Sequence, residues 1–307
     1  MKFSITIPAY KQKYLYEAIE SCLAQTYKDF ELIIVDDASP EDLKSVVDRF
    51  QDSCIRYYRN EKNCGALNVV DNWNICLGYA TGDYVICMGD DDKLLPNCLE
   101  EYFKLINRYP NIGLLHGWTE IINEDSIPTR LTCRRCEYES VYSLMWHRLN
   151  VYSNQFIGDF CFKRDLLKEN GGFYKLPLAW SSDDLSAYIA ASYNGVANTQ
   201  AVVFQYRVNS QTISSTGNAD SKMDASISYF NWIHNYISRP TANHEDEMFR
   251  QQLLNEFDKH FESKKAYTIA MDLKSHNILR FFYWLQNADR WSITVKCLLK
   301  AIKKAYL

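Results

Sequence analysis

The stretch Phe30-Glu31-Leu32-Ile33-Ile34-Val35-Asp36-Asp37-Ala38-Ser39-Pro40-Glu41-Asp42 decides the fold class. Phe30 to Val35 is a short apolar run, the pattern of a parallel strand covered on both faces. It ends on two adjacent acids. Ser39 then supplies a capping residue, Pro40 a proline for the first turn, and Glu41 and Asp42 early acids for a helix. Leu43, Val46, Val47 and Phe50 are spaced as the buried stripe of that helix.

The same alternation extends outward on both sides. Lys2 to Ile7 alternates and then meets Pro8, a strand entering a loop, and Leu15, Ile19, Cys22 and Leu23 mark one helical face. Downstream, Ile55 to Tyr58 predicts a strand, Val70, Trp73, Leu77 and Ala80 a helix, and Tyr84 to Met88 a strand ending in Gly89-Asp90-Asp91-Asp92. Leu99, Phe103 and Ile106 predict a helix that stops before Pro110. Strand and helix alternate at the spacing of βαβ units, so this half reads as a doubly wound α/β domain. From Asn111 the pattern loosens. Ile112 to His116, Glu120 to Asn123 and Val202 to Val208 read as strands, Ser143 to Leu149 and Ser181 to Ser192 as helices, and everything beyond about residue 220 as helix. No repeat or low-complexity linker separates these regions.

Composition narrows the function. The chain has 307 residues, and 34 Lys and Arg against 38 Asp and Glu leave a formal charge of −4, too little positive field to draw a nucleic acid. Hydrophobic residues at 47% and charged residues at 23% exclude a disordered chain. Neither G-x-G-x-x-G nor G-x-x-x-x-G-K-[ST] occurs, so phosphate binding has to use another device, such as a metal ion. The ten cysteines are scattered through a chain long enough to build a core. Cys133-Arg134-Arg135-Cys136 is a lone C-x-x-C, and the six histidines show no ligand spacing. Ser4, Thr6 and Pro8 break any signal-peptide pattern, and no apolar run approaches the ~18 residues of a spanning helix. The expectation is a soluble, reduced, cytoplasmic protein.

Acids gather at strand ends, where doubly wound sheets bind ligands. Asp36-Asp37 closes one strand and Asp90-Asp91-Asp92 another. Three adjacent carboxylates repel one another unless a cation or solvent relieves them, and hard divalent ions take such oxygens. By spacing alone, a solvated acidic turn capping the helix near Pro96 is an equal reading. Ser181-Ser182-Asp183-Asp184 is likewise a good helix start, and Trp180 before it suits either a sugar face or a core.

Ile5-Thr6-Ile7-Pro8-Ala9-Tyr10, the run Gln25 to Ser39, Asn63-Cys64-Gly65, Asn72-Trp73-Asn74, Ala80-Thr81-Gly82-Asp83-Tyr84 and Asp90-Asp91-Asp92 follow one another in the order found in the family-2, inverting, A-type glycosyltransferases. The resemblance is dense over residues 3–110. It thins to Phe162-Lys163-Arg164, Gly171-Gly172-Phe173, Ser182-Asp183-Asp184 and Tyr206-Arg207, and ends near residue 220.

That resemblance implies an A-type glycosyltransferase fold: a Rossmann-like, mostly parallel sheet with helices on both faces, plus a C-terminal helical extension. Residues 1–110 would form the nucleotide-sugar and metal-binding half and 111–220 the acceptor-binding half of one catalytic domain, with 221–307 a helical region. It further implies that Asp37, with Asp36 beside it, pairs with the nucleotide base, that Pro8, Ala9 and Tyr10 line the same pocket, and that Asn63, Gly65, Asn74 and Asp90 belong to the nucleotide site. Asp91 and Asp92 would bind Mn²⁺ or Mg²⁺, which neutralises charge on the departing diphosphate. Asp183-Asp184 would supply the base that takes the acceptor proton, with Asp184 the better match. Trp180 and Arg207 would meet acceptor or diphosphate, a surface ion pair being the other reading of Arg207. Two positions depart from the family pattern: Gly89 stands where many members have an acid, and Asn209 where many have a histidine.

The implied reaction is transfer from a UDP-sugar, or another nucleotide-diphosphate sugar, to a hydroxyl of a glycan or lipid-linked acceptor in bacterial surface polysaccharide or glycoprotein assembly. A sugar nucleotidyltransferase is the rival enzyme, although Pro8-Ala9-Tyr10-Lys11 does not resemble its glycine-rich loop; a non-catalytic nucleotide-sugar-binding module is the rival of another kind. At the C-terminus, Trp291, Val295, Leu298, Leu299, Ile302 and Tyr306 form one helical stripe flanked by Lys296, Lys300, Lys303 and Lys304. Such a helix over 289–307 either lies on an anionic membrane, placing the protein at its inner face, or packs on the protein. The oligomeric state stays open.

Overall fold

The protein is described by a computed structural model covering residues 1–209, 218–276 and 279–306. It divides into two compact units, Met1–Lys175 with Ser182–Thr212 and Leu176–Ser181 with Ile213–Leu307.

The first unit is built on strands β1 (Phe3–Ala9), β2 (Phe30–Asp36), β3 (Ile55–Arg59), β4 (Tyr84–Cys87), β5 (Lys93–Leu94), β6 (Leu114–Ile122), β7 (Pro128–Leu131), β8 (Tyr138–Glu139), β9 (Phe160–Lys163) and β10 (Val196–Arg207). They form one sheet in the order β3-β2-β1-β4-β9-β6-β10-β5, with β7 on β6 and β8 on β10. Helices α1 (Leu15–Leu23), α2 (Leu43–Val47), α3 (Val69–Tyr79), α4 (Cys98–Arg108), α5 (Val141–Leu149), α6 (Arg164–Glu169) and α7 (Ser182–Asn194) connect them. Side chains alternate across a strand, and both sides are covered here. Phe3, Ile5, Ile7, Leu32 and Ile34 enter one core with α1, α2 and α4, while Ser4, Thr6, Ile33 and Val35 point the other way and are also buried. This double burial explains why β2 carries a nearly unbroken apolar run.

Strands β3, β2, β1 and β4 are parallel, and β9 enters antiparallel between β4 and β6. No strand is expected from the sequence pattern over 160–163, where β9 lies. The two strands expected at 112–116 and 120–123 are one strand, β6. Gly117 lets it run through: a Cβ there would lie 2.6 Å from Val203 Cγ2 and 2.8 Å from the Tyr102 hydroxyl. Likewise β10 is longer than the expected 202–208, because its first half pairs in parallel with β6 from Val196 onward.

Register places the site. Ala9 pairs with Asp36, so β1 and β2 end together and set Tyr10 beside Asp37. Lys93 pairs with Gln205 and Leu94 with Phe204, so the turn before β5 lies against the end of β10.

The second unit contains α8 (Ala219–Ile237), α9 (His244–His276), α10 (Leu279–Gln286) and α11 (Val295–Tyr306). Its core joins Met223, Ala266, Ile269, Leu273, Trp284, Trp291, Leu298 and Ala301. The buried indoles find partners, Trp284 Nε1 donating to Asp272 at 2.8 Å and Trp291 Nε1 to Asp224 at 2.6 Å. The stripe expected as one face of the C-terminal helix is two: Trp291 and Leu298 turn inward, whereas Val295, Leu299 and Tyr306 are exposed. Among the described residues no helix is long and apolar enough to cross a membrane.

Candidate active site

The loop after β1 and the turn after β4 are tied together by Asp90. Its Oδ2 accepts the main-chain N–H of Tyr10 at 2.6 Å and of Lys11 at 2.7 Å. Burial, and then the neighbouring charge of Asp91, push the Asp90 carboxyl up to about 6. Asp92 is buried, and burial and the Asp91 charge push its carboxyl well above the usual range, although its Oδ1 accepts the N–H of Arg207 at 2.9 Å. Asp91 stays partly exposed, and its Oδ2 accepts from Asn209 Nδ2 at 2.7 Å. Gly89 makes the crowding possible, since a Cβ there would sit 2.9 Å from Asp91 Oδ1 and 3.0 Å from Asp92 Oδ2. A side chain at this position would have to displace both carboxylates.

These carboxylates fit a hard divalent cation. Three adjacent acids share one turn, and burial with the Asp91 charge raises two of them above the usual carboxylate range, a crowding that a cation would relieve. Among the described residues no cluster of three or more His, Cys, Asp or Glu forms a complete ligand cage. An ion at Asp91 would therefore fill its shell with diphosphate oxygens and water, the usual habit of Mg²⁺.

Arg207 behaves differently from either expectation. It is fully buried, and its guanidinium is spent inside the protein. Nε donates to the Asp91 carbonyl at 2.7 Å, Nη1 to Ser126 Oγ at 2.9 Å and to the carbonyls of Asn123 and Glu124 at 3.2 Å, and Nη2 to Glu17 at 3.1 Å. Its plane rests 4.0 Å from the centre of the Tyr14 ring. It is a strut under the acidic turn, and neither a surface ion pair nor a ligand presented to a diphosphate.

The nucleotide-side residues also separate by role. Asp36 is fully buried and accepts from the Ser39 N–H at 2.8 Å, the Tyr57 hydroxyl at 2.7 Å and the Arg59 guanidinium. It anchors the strand end and has no face for a base. Asp37 accepts from the Cys64 N–H at 3.0 Å and Asn60 Nδ2 at 2.8 Å, while its own carbonyl takes Asn63 Nδ2 at 2.8 Å. It thereby folds the loop carrying Asn63 and Gly65 back over the end of β2. Gly65, at φ +82, provides the left-handed turn that loop needs. Ala9 is buried and contributes its carbonyl to the Asp37 N–H at 2.9 Å, Pro8 is partly exposed, and Tyr10 presents an exposed ring. Asn74 is committed elsewhere. Its Oδ1 accepts the Phe173 N–H at 2.8 Å and its Nδ2 donates to the Phe173 carbonyl at 3.2 Å, clamping the Gly171-Gly172 turn.

The two acids opening α7 differ in environment. Asp184 is buried, and its Oδ1 accepts from Arg148 Nε at 2.9 Å and from Gln155 Nε2 at 2.6 Å. Asp183 is partly exposed, and burial of its carboxyl together with the Asp184 charge pushes it up to about 7. A carboxyl poised near neutrality suits a general base better than one locked to an arginine. Tyr206 feels both acidic groups: burial, then the charges of Asp92, Asp91 and Asp183, push its hydroxyl upward, and its ring stacks on Phe156 at 3.7 Å. Arg148 and Gln155 stand beside the α7 acids without any signal in the sequence, whereas Tyr206 was marked by the family resemblance and Asn209 as a departure from its pattern. Trp180 belongs to the second unit, where the ammonium groups of Lys222 and Lys264 each lie 4.9 Å from its ring centre.

Residues 4–170 match the model of the family described as Glycosyl transferase family 2. Among curated proteins, the chain is 32% identical over 181 residues to the GalNAc(5)-diNAcBac-PP-undecaprenol beta-1,3-glucosyltransferase of Campylobacter jejuni, covering 56% of this chain and 56% of that protein. It is 35% identical over 125 residues to the Escherichia coli UDP-Glc:alpha-D-GlcNAc-diphosphoundecaprenol beta-1,3-glucosyltransferase WfgD, covering 40% of this chain and 48% of that protein. The chain thus spans about half the length of the curated relatives it matches. The fold is similar to that of S. aureus TarS in complex with UDP-GlcNAc, at TM-score 0.65 and 16% identity over 99% of this chain and 89% of that one. It is also similar to the mannosyltransferase PcManGT of Pyrobaculum calidifontis in complex with GDP-Man and Mn2+, at TM-score 0.58 and 17% identity over 99% of this chain and 84% of that one.

Proposed function

This chain belongs to glycosyl transferase family 2, and from that premise we propose that it moves a sugar, with inversion, from a UDP-linked donor to a hydroxyl of a glycan carried on a lipid. The observation that carries this reading is the acidic turn Asp90-Asp91-Asp92, held against the loop after β1 by Asp90 and against the end of β10 by Arg207. The chemistry of the relatives supports the acceptor class, since two of them are named for diphosphoundecaprenol-linked substrates. A UDP-GlcNAc complex of one structural neighbour and a Mn2+ complex of another support the donor and the ion.

In this reading residues 1–110 hold the donor and residues 111–220 the acceptor. Asp37 and the loop it folds, with Asn63, Gly65 and the Tyr10 ring, receive the nucleoside. Asp91, flanked by Asp90 and Asp92, would hold Mn²⁺ or Mg²⁺, whose charge would offset that of the leaving diphosphate. Asp183 accepts the proton of the acceptor hydroxyl. The hydroxyl oxygen bonds to the anomeric carbon as the bond from that carbon to the phosphate oxygen breaks, and the electron pair leaves with the diphosphate. Asp184, fixed by Arg148 and Gln155, orients the start of α7 and keeps the neighbouring carboxyl poised.

The test is release of UDP from a panel of UDP-sugars, with and without Mn²⁺, by the parent and by Asp91→Asn. Metal-stimulated release that falls about 10²-fold or more in the variant is expected, several kcal/mol of charge stabilisation being lost. Binding of UDP with Mn²⁺ in thermal shift but no turnover with any donor or acceptor would make the chain a binding module instead.

A further inference from the structure

We propose that the outward face of α11 docks the second unit onto an anionic lipid surface. At ~100° per residue, the helix sorts into three sectors. Cys297, Leu298 and Ala301 are buried in the core of the unit. Val295 is 72% exposed, Leu299 62% and Tyr306 49%, with Ile302 partly buried between the last two. Positions 295, 299, 302 and 306 are four, three and four apart and so fall in one line along the helix. Val295 and Leu299 are its open part, whereas Ile302 packs against the core and the Tyr306 hydroxyl donates to the Leu273 carbonyl at 3.0 Å. Lys296, Lys300, Lys303 and Lys304 fill the remaining sector.

Single exposed apolar residues are ordinary on a protein surface. A line of them beside uncompensated charge is not. Elsewhere in this unit five basic groups have acidic partners: Arg250 has Glu247, Lys259 has Glu256, Lys265 has Glu262, Arg280 has Asp272 and Arg290 has Asp224. On α11, Lys300 donates to Ser263 Oγ at 2.5 Å, while Lys296, Lys303 and Lys304 have no ion-pair partner among the described residues. No acid follows Asp289 in the sequence. On α10, Phe282 and Leu285 are also exposed, at 58% and 47%.

The occupant has to be both apolar and negative. A second copy of this chain laid on the same face would bring its own lysine row against this one, and like charges resist that pairing. A bilayer interface meets both needs. Lysine stems run along apolar surface and leave their ammonium groups among lipid phosphates, while Val295 and Leu299 enter the boundary of the acyl chains. Each lysine near such a surface strengthens binding ~5-fold, and salt weakens it. Nothing in this inference depends on which sugar is moved.

Flotation of the full chain with phosphatidylglycerol–phosphatidylcholine vesicles, and with phosphatidylcholine vesicles alone, tests it. Binding is expected to the first and not the second, and to weaken with added salt. Lys303→Glu with Lys304→Glu should lower it at least ~25-fold, two ~5-fold terms multiplied. Leu299→Asp should lower it as well, and Leu299→Phe should preserve it. These side chains are exposed, so each variant should unfold at the parent's temperature. Absence of binding at low salt, equal binding to both vesicles, or unchanged binding by the charge-reversed variant would overturn the proposal. So would a dimer that Leu299→Asp dissolves in a protein that ignores vesicles.

Discussion

The main-chain N–H of Arg207 donates to Oδ1 of Asp92 at 2.9 Å, tying the end of the last strand to an acidic turn 115 positions earlier in the chain. The Arg207 side chain reinforces the tie through the Asp91 carbonyl and Glu17. Arg207→Met should keep the main-chain bond and lose the guanidinium contacts, leaving several buried carbonyls unpaired. A loss of about 2–4 kcal/mol in urea unfolding is expected, together with weaker Mn²⁺ binding. Arg207→Lys should recover little, because an ammonium cannot reproduce the planar fork. Full Mn²⁺ affinity in Arg207→Met would show that the turn holds its shape unaided.

Gly89→Ala tests the packing of the acidic turn. The added Cβ would fall 2.9 Å from Asp91 Oδ1 and 3.0 Å from Asp92 Oδ2, so these carboxylates have to move. The expected result is near-parent unfolding temperature with Mn²⁺ titrating at about tenfold higher concentration, the cost of displacing ligand groups being of order 1 kcal/mol. Unchanged metal titration would mean that neither oxygen faces the ion.

The pH dependence should follow Asp183, whose carboxyl is raised to about 7 by burial and the Asp184 charge. As the base it has to be deprotonated, so transfer should rise with pH through about 7 and then level. Asp183→Asn should remove about 10²–10⁴-fold of the rate. Asp184→Asn should move the rising limb to lower pH, by deleting a neighbouring charge. If Asp184→Asn abolishes transfer while Asp183→Asn retains it, the two roles are exchanged.

Stability should respond with the opposite sign. A raised carboxyl means that the native chain holds a proton which the unfolded chain gives up above about pH 4. Protein stability from this group therefore falls as pH rises from about 4 to about 7. Asp183→Asn should flatten that part of the profile and unfold at pH 8 no earlier than the parent. Thermal unfolding across this pH range measures it.

Asn74→Ala should act on stability and leave donor KM unchanged. The side chain makes two hydrogen bonds to the Phe173 main chain, and their loss should cost about 1–3 kcal/mol. Gly172→Ala should be worse, since its Cβ would lie 2.3 Å from Asn74 Oδ1 at a φ of +89. A raised KM with unchanged unfolding in Asn74→Ala would return that residue to the nucleotide site.

Much of the first half was legible in the sequence because its signals are local. The apolar run of β2, the alternation of β1 ahead of Pro8 and the stripes of α1 through α4 each report burial within a few residues. Strands β5, β7, β8 and β9 were not legible. They are two to four residues long and exist because longer strands offer them hydrogen bonds. The C-terminal stripe shows the same boundary. Period 3.6 placed Leu298 and Leu299 together, but only packing against the rest of the second unit buried one and exposed the other.

For the site, the sequence by itself determined which acids stand at the strand ends and at the start of α7, because turn and capping chemistry are written in adjacent residues. The tertiary structure decided what each acid is able to do. Asp36 and Asp37 are neighbours, yet Tyr57 and Arg59 lock the first while Asn60 and Cys64 turn the second into a loop clasp. Asp183 and Asp184 are neighbours, yet Arg148 and Gln155 hydrogen-bond to Asp184 from 36 and 29 residues away, while Asp183 is raised by burial and the Asp184 charge. A carboxylate's charge and reach depend on the donors and the dielectric around it, and in a folded chain most of those donors come from distant sequence.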